Sequence, residues 1–494
     1  MSMGLQQLVR GLAGIKISGP ANRPVAGLAT DSRRVMAESL FFALPGRRTD
    51  GYHYIEEAVE RGATVVVCEK DCWVPPKITL VQVPDIRAAV AQIAARFHKQ
   101  PETKLQLTGF LGTSGKTVAA NLLHHFRRER QPSGLIGTLS YAVGNRSLPA
   151  HRTTPEPVEM YALLHQIRDC GLERAILEVS AHGIHQGRVA GLPFQTLALL
   201  NLTPEHLDYH GSHDAYCELE ASFITAQTGH LRHLVAGIDD AVVRERIEKM
   251  DLPSRTRLLS FGLAEEATFR ATEVRYSEKD TRFTLHWPEG KVKLVSPLIG
   301  EFNLQNVLAA LAAGYADGLT VEEMGAALLS FNGVPGRMER LEEGQPFTIL
   351  TDYMHTEAAY DKGLRMVRSL TRGRLLTVFG CGGDRDPRTR PAVTRIVAEQ
   401  SDLALATADN PRSEELSSIF EHMREGNEER DNLRFIADRR SAIAEALAQA
   451  RPGDTVLIAG KGHERFQEYA DCVVPFDDRA VVREILRNRE WRNR

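Results

Sequence analysis

The sequence has no apolar run that approaches about 18 residues, the length needed to cross a membrane. Residues 1–16 also lack the charged start, long apolar core and small-residue cleavage site of a secretory signal. The six cysteines are scattered, and Cys68 and Cys72, four apart, have no second Cys or His pair to complete a metal site. We therefore expect free thiols, a cytoplasmic protein and no membrane partner.

The sequence also has no large excess of either positive or negative charge. The 494 residues contain 61 Lys and Arg against 64 Asp and Glu, a net charge of -3 at pH 7, without a long run of either sign. A basic face for nucleic acid is therefore disfavoured. What is present is the composition of a globular protein, 43% apolar and 25% charged. The length corresponds to about three domains.

Three blocks of different patterning divide the sequence, at residues 1–102, 103–335 and 336–494. In the first and third blocks, short apolar runs alternate with segments of helical periodicity, which predicts α/β domains, the third of them Rossmann-like. The second block repeats strand then helix, which predicts a doubly wound parallel sheet with Leu135–Val143 as one of its strands. Residues 268–298 change to strict alternation and predict a small antiparallel patch.

The most informative segment is Gly109–Thr117, which follows the apolar run Leu105–Leu107 and opens a helix. Glycines let backbone N–H groups converge on a phosphate, and a helix N-terminus adds positive charge. Lys116 would reach the outer phosphates, and the Thr117 hydroxyl would bind Mg²⁺. The common form of this P-loop has glycine where this sequence has Phe110. The alternative is a glycine-rich turn with an incidental Lys-Thr pair. The residues predicted to bind a nucleoside triphosphate are Gly112, Thr113, Ser114, Gly115, Lys116 and Thr117.

Carboxylate and imidazole groups follow two further predicted strands of the second block. Glu178 lies at the end of a buried strand, where a carboxylate beside a P-loop is suited to be a second magnesium ligand. Strand ends also carry Glu without such a role. His206, Asp208 and His210 follow the next strand and indicate contact with metal or phosphate, with capped turns as the alternative.

In the third block, charged or glycine-rich segments each follow a predicted strand, at Asp352–His355, Gly380–Asp386, Asp409–Arg412 and Gly460–Glu464. The carboxyl ends of parallel strands meet at one edge of a sheet, where ligands bind. Arginine is suited to a carboxylate and glutamate to an ammonium, so we expect a small zwitterionic ligand at this edge. Each segment on its own is also compatible with a solvated turn.

Together with others along nearly the whole chain, these segments resemble the Mur ligase family, and in particular its muramyl-tripeptide synthetases. The further segments that carry the resemblance are Asp31–Val35, Leu40–Leu44, Asp50–Tyr52, Thr153–Glu156, Glu178–Ser180, Gln186–Val189, His206–Gly211, Gly300–Asn306 and Gly336–Glu339. The resemblance implies ATP-dependent amide formation through an acyl phosphate, with Mg²⁺, in peptidoglycan precursor synthesis. The implied substrates are UDP-N-acetylmuramoyl-L-alanyl-D-glutamate and meso-diaminopimelate. The distal carboxylate of diaminopimelate suits arginines such as Arg412 and Arg385.

The resemblance also implies roles for individual residues, with the UDP-substrate on the first domain, ATP on the second and the amino acid on the third. The residues that would bind the UDP-substrate are Ser32, Thr153, Thr154, Ser180, Gln186 and Arg188. Those that would complete the ATP site are Asn303, Arg337 and His355. Those that would bind the amino acid are Arg385, Asp409, Asn410, Arg412, Gly460 and Glu464. The metal ligands would be Thr117, Glu178 and His206, and the catalytic residues would be Lys116, Glu220 and, as a local base, His206.

The sequence departs from the family pattern mainly on the nucleotide side. The family usually has a lysine at the position of Glu220, carbamylated so that it becomes an anion near the second magnesium. We hypothesise that Glu220 supplies this negative charge through a water or a shifted helix, because its side chain is shorter. Other departures are Leu111, Val118, Glu205, Glu357 with Ala358, and Thr389.

Three interpretations remain open from the sequence. The chain is a diaminopimelate-adding ligase, a divergent ligase of this fold that uses another acid and amine, or a binding paralogue that has lost efficient ATP use. We expect a monomer that binds small molecules, with neither nucleic acid nor a membrane as partner.

Overall fold

The structure is a computed structural model that describes residues 2–46, 49–205, 207–227 and 229–487. The chain forms two compact units, Met1–Arg270 with Leu308–Met324, and Ala271–Val307 with Gly325–Arg494. No helix within the described ranges is long and apolar enough to cross a membrane. The predicted domain boundaries after residues 102 and 335 do not coincide with this division and stay a prediction.

The first part of the described chain contains short strands and helices. In chain order the elements are β1 (Met3–Gly4), α1 (Leu5–Val9), β2 (Lys16–Ser18), β3 (Pro24–Val25), β4 (Gly27–Ala29), β5 (Ser39–Phe42), α2 (Ile55–Glu60), β6 (Ala63–Cys68), β7 (Thr79–Gln82) and α3 (Ile86–Phe97). Single-turn 3₁₀ helices lie at Ser32–Arg34, Gly51–Tyr54 and Pro101–Lys104.

The next part of the chain alternates strand and helix. Its elements are β8 (Gln106–Leu111), α4 (Lys116–Phe126), β9 (Gly134–Ile136), β10 (Ser140–Val143), β11 (Arg146–Pro149), α5 (Pro157–Asp169), β12 (Arg174–Glu178), α6 (Ala181–His185), β13 (Phe194–Leu199), α7 (Leu207–His210), α8 (His213–Ala226), β14 (His233–Gly237), α9 (Ala241–Lys249), β15 (Arg257–Gly262) and β16 (Phe269–Tyr276).

The remaining elements follow a hairpin and a helix pair. They are β17 (Thr281–Trp287), β18 (Gly290–Ser296), α10 (Glu301–Ala316), α11 (Val321–Leu328), β19 (Glu339–Arg340), β20 (Thr348–Asp352), α12 (Glu357–Leu370), β21 (Leu375–Phe379), α13 (Thr389–Gln400), β22 (Leu403–Ala406), α14 (Leu416–Arg424), β23 (Leu433–Phe435), α15 (Arg439–Gln449), β24 (Thr455–Ala459), β25 (Phe466–Glu468), β26 (Val473–Pro475) and α16 (Asp478–Arg487).

A five-stranded sheet organises the N-terminal part of the first unit. Its order is β2-β7-β6-β5-β4, with β2 antiparallel and the other neighbours parallel. Alternate residues of a strand point to opposite faces, and both faces are buried: Leu40 and Val65 pack with α3, whereas Phe41 and Val66 pack with α2. The predicted α/β layering of this block is confirmed.

The larger sheet of the first unit carries the P-loop. Within this unit its strand order is β11-β10-β9-β12-β8-β13-β14-β15-β16, and all neighbours from β9 to β16 are parallel. The predicted doubly wound parallel sheet is confirmed. Strand β8 lies between β12 and β13, so the loops that follow these three strands leave the sheet at one edge.

One predicted strand of this sheet is wrong. Leu135–Val143 is not a single strand: β9 and β10 pair antiparallel across a turn at residues 137–139. The cause is Glu178, whose Oε1 accepts the Thr138 N–H at 2.9 Å. A side chain at Gly137 would collide with the same carboxylate, so the chain turns around it.

The second unit contains its own sheet, of order β19-β20-β24-β21-β22-β23. Strand β19 is antiparallel to β20, and the other neighbours are parallel. Both faces are covered by apolar clusters that involve helices α12–α16. Strands β17 and β18 pair antiparallel, within the small antiparallel patch that was predicted for residues 268–298. The Rossmann-like prediction for this block is confirmed.

A buried ionic network ties α4 and the end of α10 to the central sheet of the first unit. Asp317 accepts hydrogen bonds from Thr108 of β8 at 2.7 Å, Thr196 of β13 at 2.7 Å and Arg127 at 2.8 Å. The Arg127 side chain is 1% exposed. Removing one partner of a buried ion pair leaves the other charge without compensation, so this network is a sensitive point of the fold.

We predict that Asp317→Ala destabilises the protein by about 3–5 kcal/mol, because it leaves the Arg127 guanidinium buried and unpaired. The measurement is urea unfolding followed by circular dichroism. The control is Asp214→Ala, which removes an ion pair to Arg246 from a side chain that is 94% exposed and is expected to cost less than about 1 kcal/mol. Equal losses in the two variants would contradict the prediction.

Candidate active site

The predicted P-loop has the backbone conformation that phosphate binding requires. Gly112 and Gly115 adopt φ of 105° and 92°, a region that favours glycine, and α4 begins at Lys116. The loop therefore ends at a helix N-terminus, whose free N–H groups attract an anion. The Lys116 ammonium donates to the carbonyl oxygens of Gly112 and of Thr113, the latter at 3.0 Å. These carbonyls hold the cation over the loop.

Asn201, which follows β13, holds the P-loop in place and was not predicted. Its side chain accepts the Ser114 N–H at 2.9 Å and donates to the Ser114 carbonyl at 2.9 Å. Its own carbonyl accepts the Thr113 N–H at 2.9 Å. A side chain at Gly112 would lie 2.6 Å from that carbonyl. The glycine is thus required by close approach as well as by φ.

Thr117 and Glu178, predicted as metal ligands, are brought into contact. The Thr117 hydroxyl donates to Glu178 Oε2 at 2.7 Å, and the Thr138 hydroxyl donates to the same oxygen at 2.8 Å. Glu178 is 1% exposed. A buried carboxylate with hydroxyls beside a P-loop is the oxygen-rich environment that Mg²⁺ prefers. Thr138, which also was not predicted, connects this pair to Thr153 through a hydroxyl contact of 3.0 Å.

His206, the third predicted metal ligand and the predicted base, lies outside the described residues. Among the residues that the structure does describe, no group of three or more His, Cys, Asp or Glu side chains could hold a metal ion. An Mg²⁺ site here would therefore rest on Thr117 and Glu178 together with oxygens of the nucleotide and water, which suits an ion that keeps several waters.

Most of the predicted UDP-substrate residues form a network next to Glu178. The Thr154 hydroxyl donates to the Glu178 carbonyl at 2.9 Å and contacts the Ser180 hydroxyl at 3.1 Å. Arg188 donates to the Thr154 carbonyl at 3.0 Å and to Gln186 Oε1 at 2.6 Å. Arg188 is 6% exposed and its Nε lies 3.0 Å from Glu156 Oε1, so the arginine is ordered by an ion pair as well as by this network.

Ser32, the remaining predicted UDP-substrate residue, lies in the N-terminal part. Its hydroxyl donates to Glu57 Oε2 at 2.7 Å, and the residue is 4% exposed. Asp31 caps the 3₁₀ turn that contains Ser32 by accepting the Arg33 N–H. These bonds order the segment, and the predicted roles of Ser32 and of the Thr154 network stay predictions.

Glu220, in α8, faces the P-loop from inside the protein. It is fully buried, and neither carboxylate oxygen has a well-formed hydrogen bond within the described part of the chain. Burial raises the pKa of its carboxyl to about 7, while the Lys116 charge and the Gly112 N–H oppose the shift. Tyr216, one turn earlier, contacts the Thr113 hydroxyl at 2.9 Å. Helix α8 thus contacts the P-loop through Tyr216 and places an acid next to it.

In the second unit, the predicted amino-acid residues meet at the carboxyl ends of β22 and β24. Asn410 donates to Glu464 Oε2 at 2.9 Å, and burial raises the pKa of the neighbouring Asp409. Gly460 has φ of 108°, and a side chain there would lie 2.5 Å from Asp409. The predicted convergence of the strand-end segments is therefore observed for these residues.

The predicted arginines of this edge differ in how much of their hydrogen-bonding capacity is used. Arg412, at φ 54°, donates to Glu468 Oε2 at 2.9 Å through Nε and to the Gly383 carbonyl at 2.6 Å through Nη1. Arg385 is exposed next to Gly382. Buried Arg390, which was not predicted, forms a bidentate pair with Glu414 at 2.8 Å. Arg390 also donates to the Gly382 carbonyl at 3.2 Å and thereby orders the segment Gly380–Asp386.

The residues predicted to complete the ATP site also lie in the second unit. Asn303 is buried in α10 and donates to the Ile299 carbonyl at 2.9 Å. The Arg337 guanidinium lies 4.8 Å from the centre of the Tyr353 ring, and His355 contacts the Tyr353 carbonyl at 2.9 Å. Their nucleotide-binding roles stay predictions.

Comparison with known proteins identifies this combination of sheets and loops. Residues 24–98 match the model described as "Mur ligase family, catalytic domain", residues 111–314 match "Mur ligase middle domain", and residues 336–462 match "Mur ligase, glutamate ligase domain". Over 99% of its length, the chain is 39% identical to a relative from Geobacillus kaustophilus, all of which is covered. The chain belongs to the Mur ligase family. The resemblance inferred from the sequence is confirmed.

Two of the relatives that this Mur ligase matches share one printed name. The Geobacillus protein, and one from Solibacter usitatus that is 38% identical over 96% of the chain and 97% of the relative, are each named UDP-N-acetylmuramoyl-L-alanyl-D-glutamate–2,6-diaminopimelate ligase. A solved structure of a ligase with that name has a TM-score of 0.69 and 30% identity, with 99% of both chains covered. The whole fold is therefore shared with proteins of this name.

We predict that Glu220→Gln stabilises this ligase at high pH and not at low pH. An unfolded carboxyl ionises near 4.5 and the folded Glu220 near pH 7, so the folded state binds more protons between these values and loses stability as pH rises. Above pH 7 the penalty is about 3 kcal/mol, which the neutral amide avoids.

The measurement is the urea midpoint of wild type and Glu220→Gln at pH 5 and pH 8. The control is Glu218→Gln, on the same helix with a side chain 66% exposed, which should show little difference at either pH. A Glu220→Gln effect that is the same at both pH values would contradict the raised pKa.

Proposed function

We propose that this Mur ligase adds meso-diaminopimelate to UDP-N-acetylmuramoyl-L-alanyl-D-glutamate in an ATP-dependent amide-forming reaction of peptidoglycan precursor synthesis. The observation that carries the proposal is similarity over nearly the full length to relatives named for this reaction. Because all three family models match in order along the chain, the similarity is not confined to a nucleotide-binding core that many ligases share.

The second unit supports the choice of amine. Diaminopimelate differs from lysine by a distal carboxylate, and arginine binds carboxylates through paired N–H donors. Arg412 and Arg385 supply guanidinium groups at the sheet edge where Asn410 and Glu464 lie. Glu464 supplies the opposite charge for an ammonium. A site that offers both signs is suited to an amino acid with charged groups at its two ends.

The residues of the first unit fit ATP and Mg²⁺. The P-loop has Gly112 where a side chain would collide with the Asn201 backbone, and Glu178 is a buried carboxylate with two hydroxyl partners. When bound, ATP supplies the phosphoryl group that activates the substrate carboxylate, and Mg²⁺ balances its negative charge. Lys116 and the N–H groups at the start of α4 would hold the phosphates, and Thr117 and Glu178 would hold the metal ion.

The protein's own groups stabilise the negative charge of the reacting groups and position them. None acts as a covalent nucleophile in the proposed reaction. The carboxylate that is activated and the phosphate that it receives are both anionic, so donors fixed by the protein lower the barrier. Lys116 supplies a cation and Asn201 keeps the loop N–H groups in place. Glu220 places a titratable acid behind Lys116. Above pH 7 its charge would hold the lysine ammonium on the inner side of the loop.

The proposal predicts the products formed with different amines. Purified protein with ATP, Mg²⁺ and UDP-N-acetylmuramoyl-L-alanyl-D-glutamate should form a tripeptide product with meso-diaminopimelate. It should form about 100-fold less with L-lysine, because lysine lacks the carboxylate that would make charge-assisted hydrogen bonds with Arg412 and Arg385, a loss of about 3 kcal/mol. Mass spectrometry of the product and phosphate release are the measurements. Product only with another acid and amine would indicate a divergent ligase, and none with any amine would indicate a binding protein.

We also predict that Lys116→Ala lowers kcat by at least about 1,000-fold, because the segment Gly109–Thr117 contains no other cationic side chain to bind the phosphates. Lys249→Ala is the control, since Lys249 is exposed and pairs with Glu245 on α9. Its rate should equal that of wild type. An undiminished rate for Lys116→Ala would refute the assignment of the P-loop.

A further inference from the structure

Lys461, directly after the Gly460 turn at the end of β24, is completely buried. Lysine is almost never fully buried without a partner, because its ammonium loses the water that surrounds it. Apolar packing does not explain a cation at this position, and no role was predicted for Lys461 from the sequence. The side chain lies at the strand edge where the predicted amino-acid residues meet.

Three side chains at this edge bond to one another, and we call them the Lys461 triad. The Lys461 ammonium donates to Glu464 Oε2 at 2.8 Å and to Asn410 Oδ1 at 2.9 Å. The Asn410 amide closes the triangle by donating to the same Glu464 oxygen at 2.9 Å. The Glu468 N–H also donates to Asn410 Oδ1, at 3.1 Å, which fixes which way the amide faces.

The triad leaves the two oxygens of Glu464 unequal. Oε2 accepts from both Lys461 and Asn410, whereas Oε1 meets only the Tyr353 hydroxyl, at 3.5 Å, within the part of the chain that is described. That distance is at the limit of a hydrogen bond. The carboxylate is therefore held from one side, with Oε1 available to accept a stronger donor.

The charge state of Glu464 also depends on the triad. Burial alone would raise the pKa of this carboxyl, but the Lys461 charge and the hydrogen bonds from Lys461 and Asn410 outweigh it and lower the pKa. The other titratable groups that face Glu464 are Tyr353, His463 and Asp409. Burial lowers the pKa of His463 to about 4, so near neutral pH Lys461 is the cation that keeps Glu464 ionised.

We propose that Lys461 is a positioning residue for the amino-acid substrate: with Asn410 it holds Glu464 as a carboxylate whose Oε1 faces the distal ammonium of that substrate. The inference rests on the proposed function for the identity of the ligand. Lys461 itself does not touch the amino acid, because both hydrogen bonds that its ammonium donates within the described residues stay inside the triad. It acts through Glu464.

The first test is steady-state kinetics of Lys461→Met with diaminopimelate varied. We expect KM for diaminopimelate to rise about 30-fold with kcat changed less than about threefold, because the loss concerns binding of the amine rather than phosphoryl transfer. KM for ATP should stay within about twofold of wild type. Lys461→Gln keeps a hydrogen-bond donor without the charge, so its KM for diaminopimelate should lie between those of wild type and Lys461→Met.

The second test distinguishes positioning from a general structural effect. If Lys461 acts through Glu464, Lys461→Met should raise KM less than about threefold in a Glu464→Gln background. In the single variant, KM should also fall as pH rises from 6.5 to 8.5, because burial without the lysine raises the pKa of Glu464 and ionisation restores the acceptor. Wild-type KM should be flat over this range.

The control is Arg365→Met, on α12 in the same unit, where the arginine is exposed and pairs with Asp361. Circular dichroism melts check that each variant is folded. An unchanged KM in Lys461→Met, or an equal rise in both backgrounds, would overturn the inference while the proposed function stands. Calorimetric titration of wild type with diaminopimelate tests the proposed function itself. If wild type neither binds diaminopimelate nor forms product with it, the proposed function and the role of Lys461 are both wrong.

Discussion

The carboxylate of Glu178 is the interaction on which the site of the first unit depends. It lies at the end of β12, 1% exposed, and such a group must find donors because burying it without them is costly. It finds them in Thr117 of the P-loop helix and in Thr138 of the β9–β10 turn. Through Thr138 and the Glu178 carbonyl, the segment at Thr153 and Thr154 is held at the same point.

This arrangement explains why a nucleotide site and a predicted UDP-substrate site share one edge of the sheet. The strands that carry them, β8, β12 and β13, are parallel neighbours, so their following loops leave in the same direction. Asn201, after β13, then fixes the P-loop from the other side. The loop is held by residues on both neighbours, and its N–H groups need little reorganisation to receive a phosphate.

In the second unit, three buried cations are each paired with a carboxylate. Arg390 pairs with Glu414, Arg439 with Asp478, and Lys461 with Glu464. Buried pairs of this kind contribute less to stability than to holding a defined geometry, which is the role we assign to the third. Glu220 in the first unit differs: its carboxylate has no well-formed hydrogen bond among the described residues, and burial raises its pKa.

The sequence by itself determined the family, the α/β layers and the segments that carry chemistry, because these depend on local periodicity and on short motifs. Gly109–Thr117 and Asp409–Arg412 could be recognised without knowing their neighbours. Only the tertiary structure decided the turn at residues 137–139, the bonds of Asn201 to Ser114 and the position of Lys461 between Asn410 and Glu464. Each of these depends on a partner on another strand or loop, many residues away, and on burial that no local pattern reports. The pKa of Glu220 is of the same kind, since solvent exclusion around one carboxyl is a property of the packed chain.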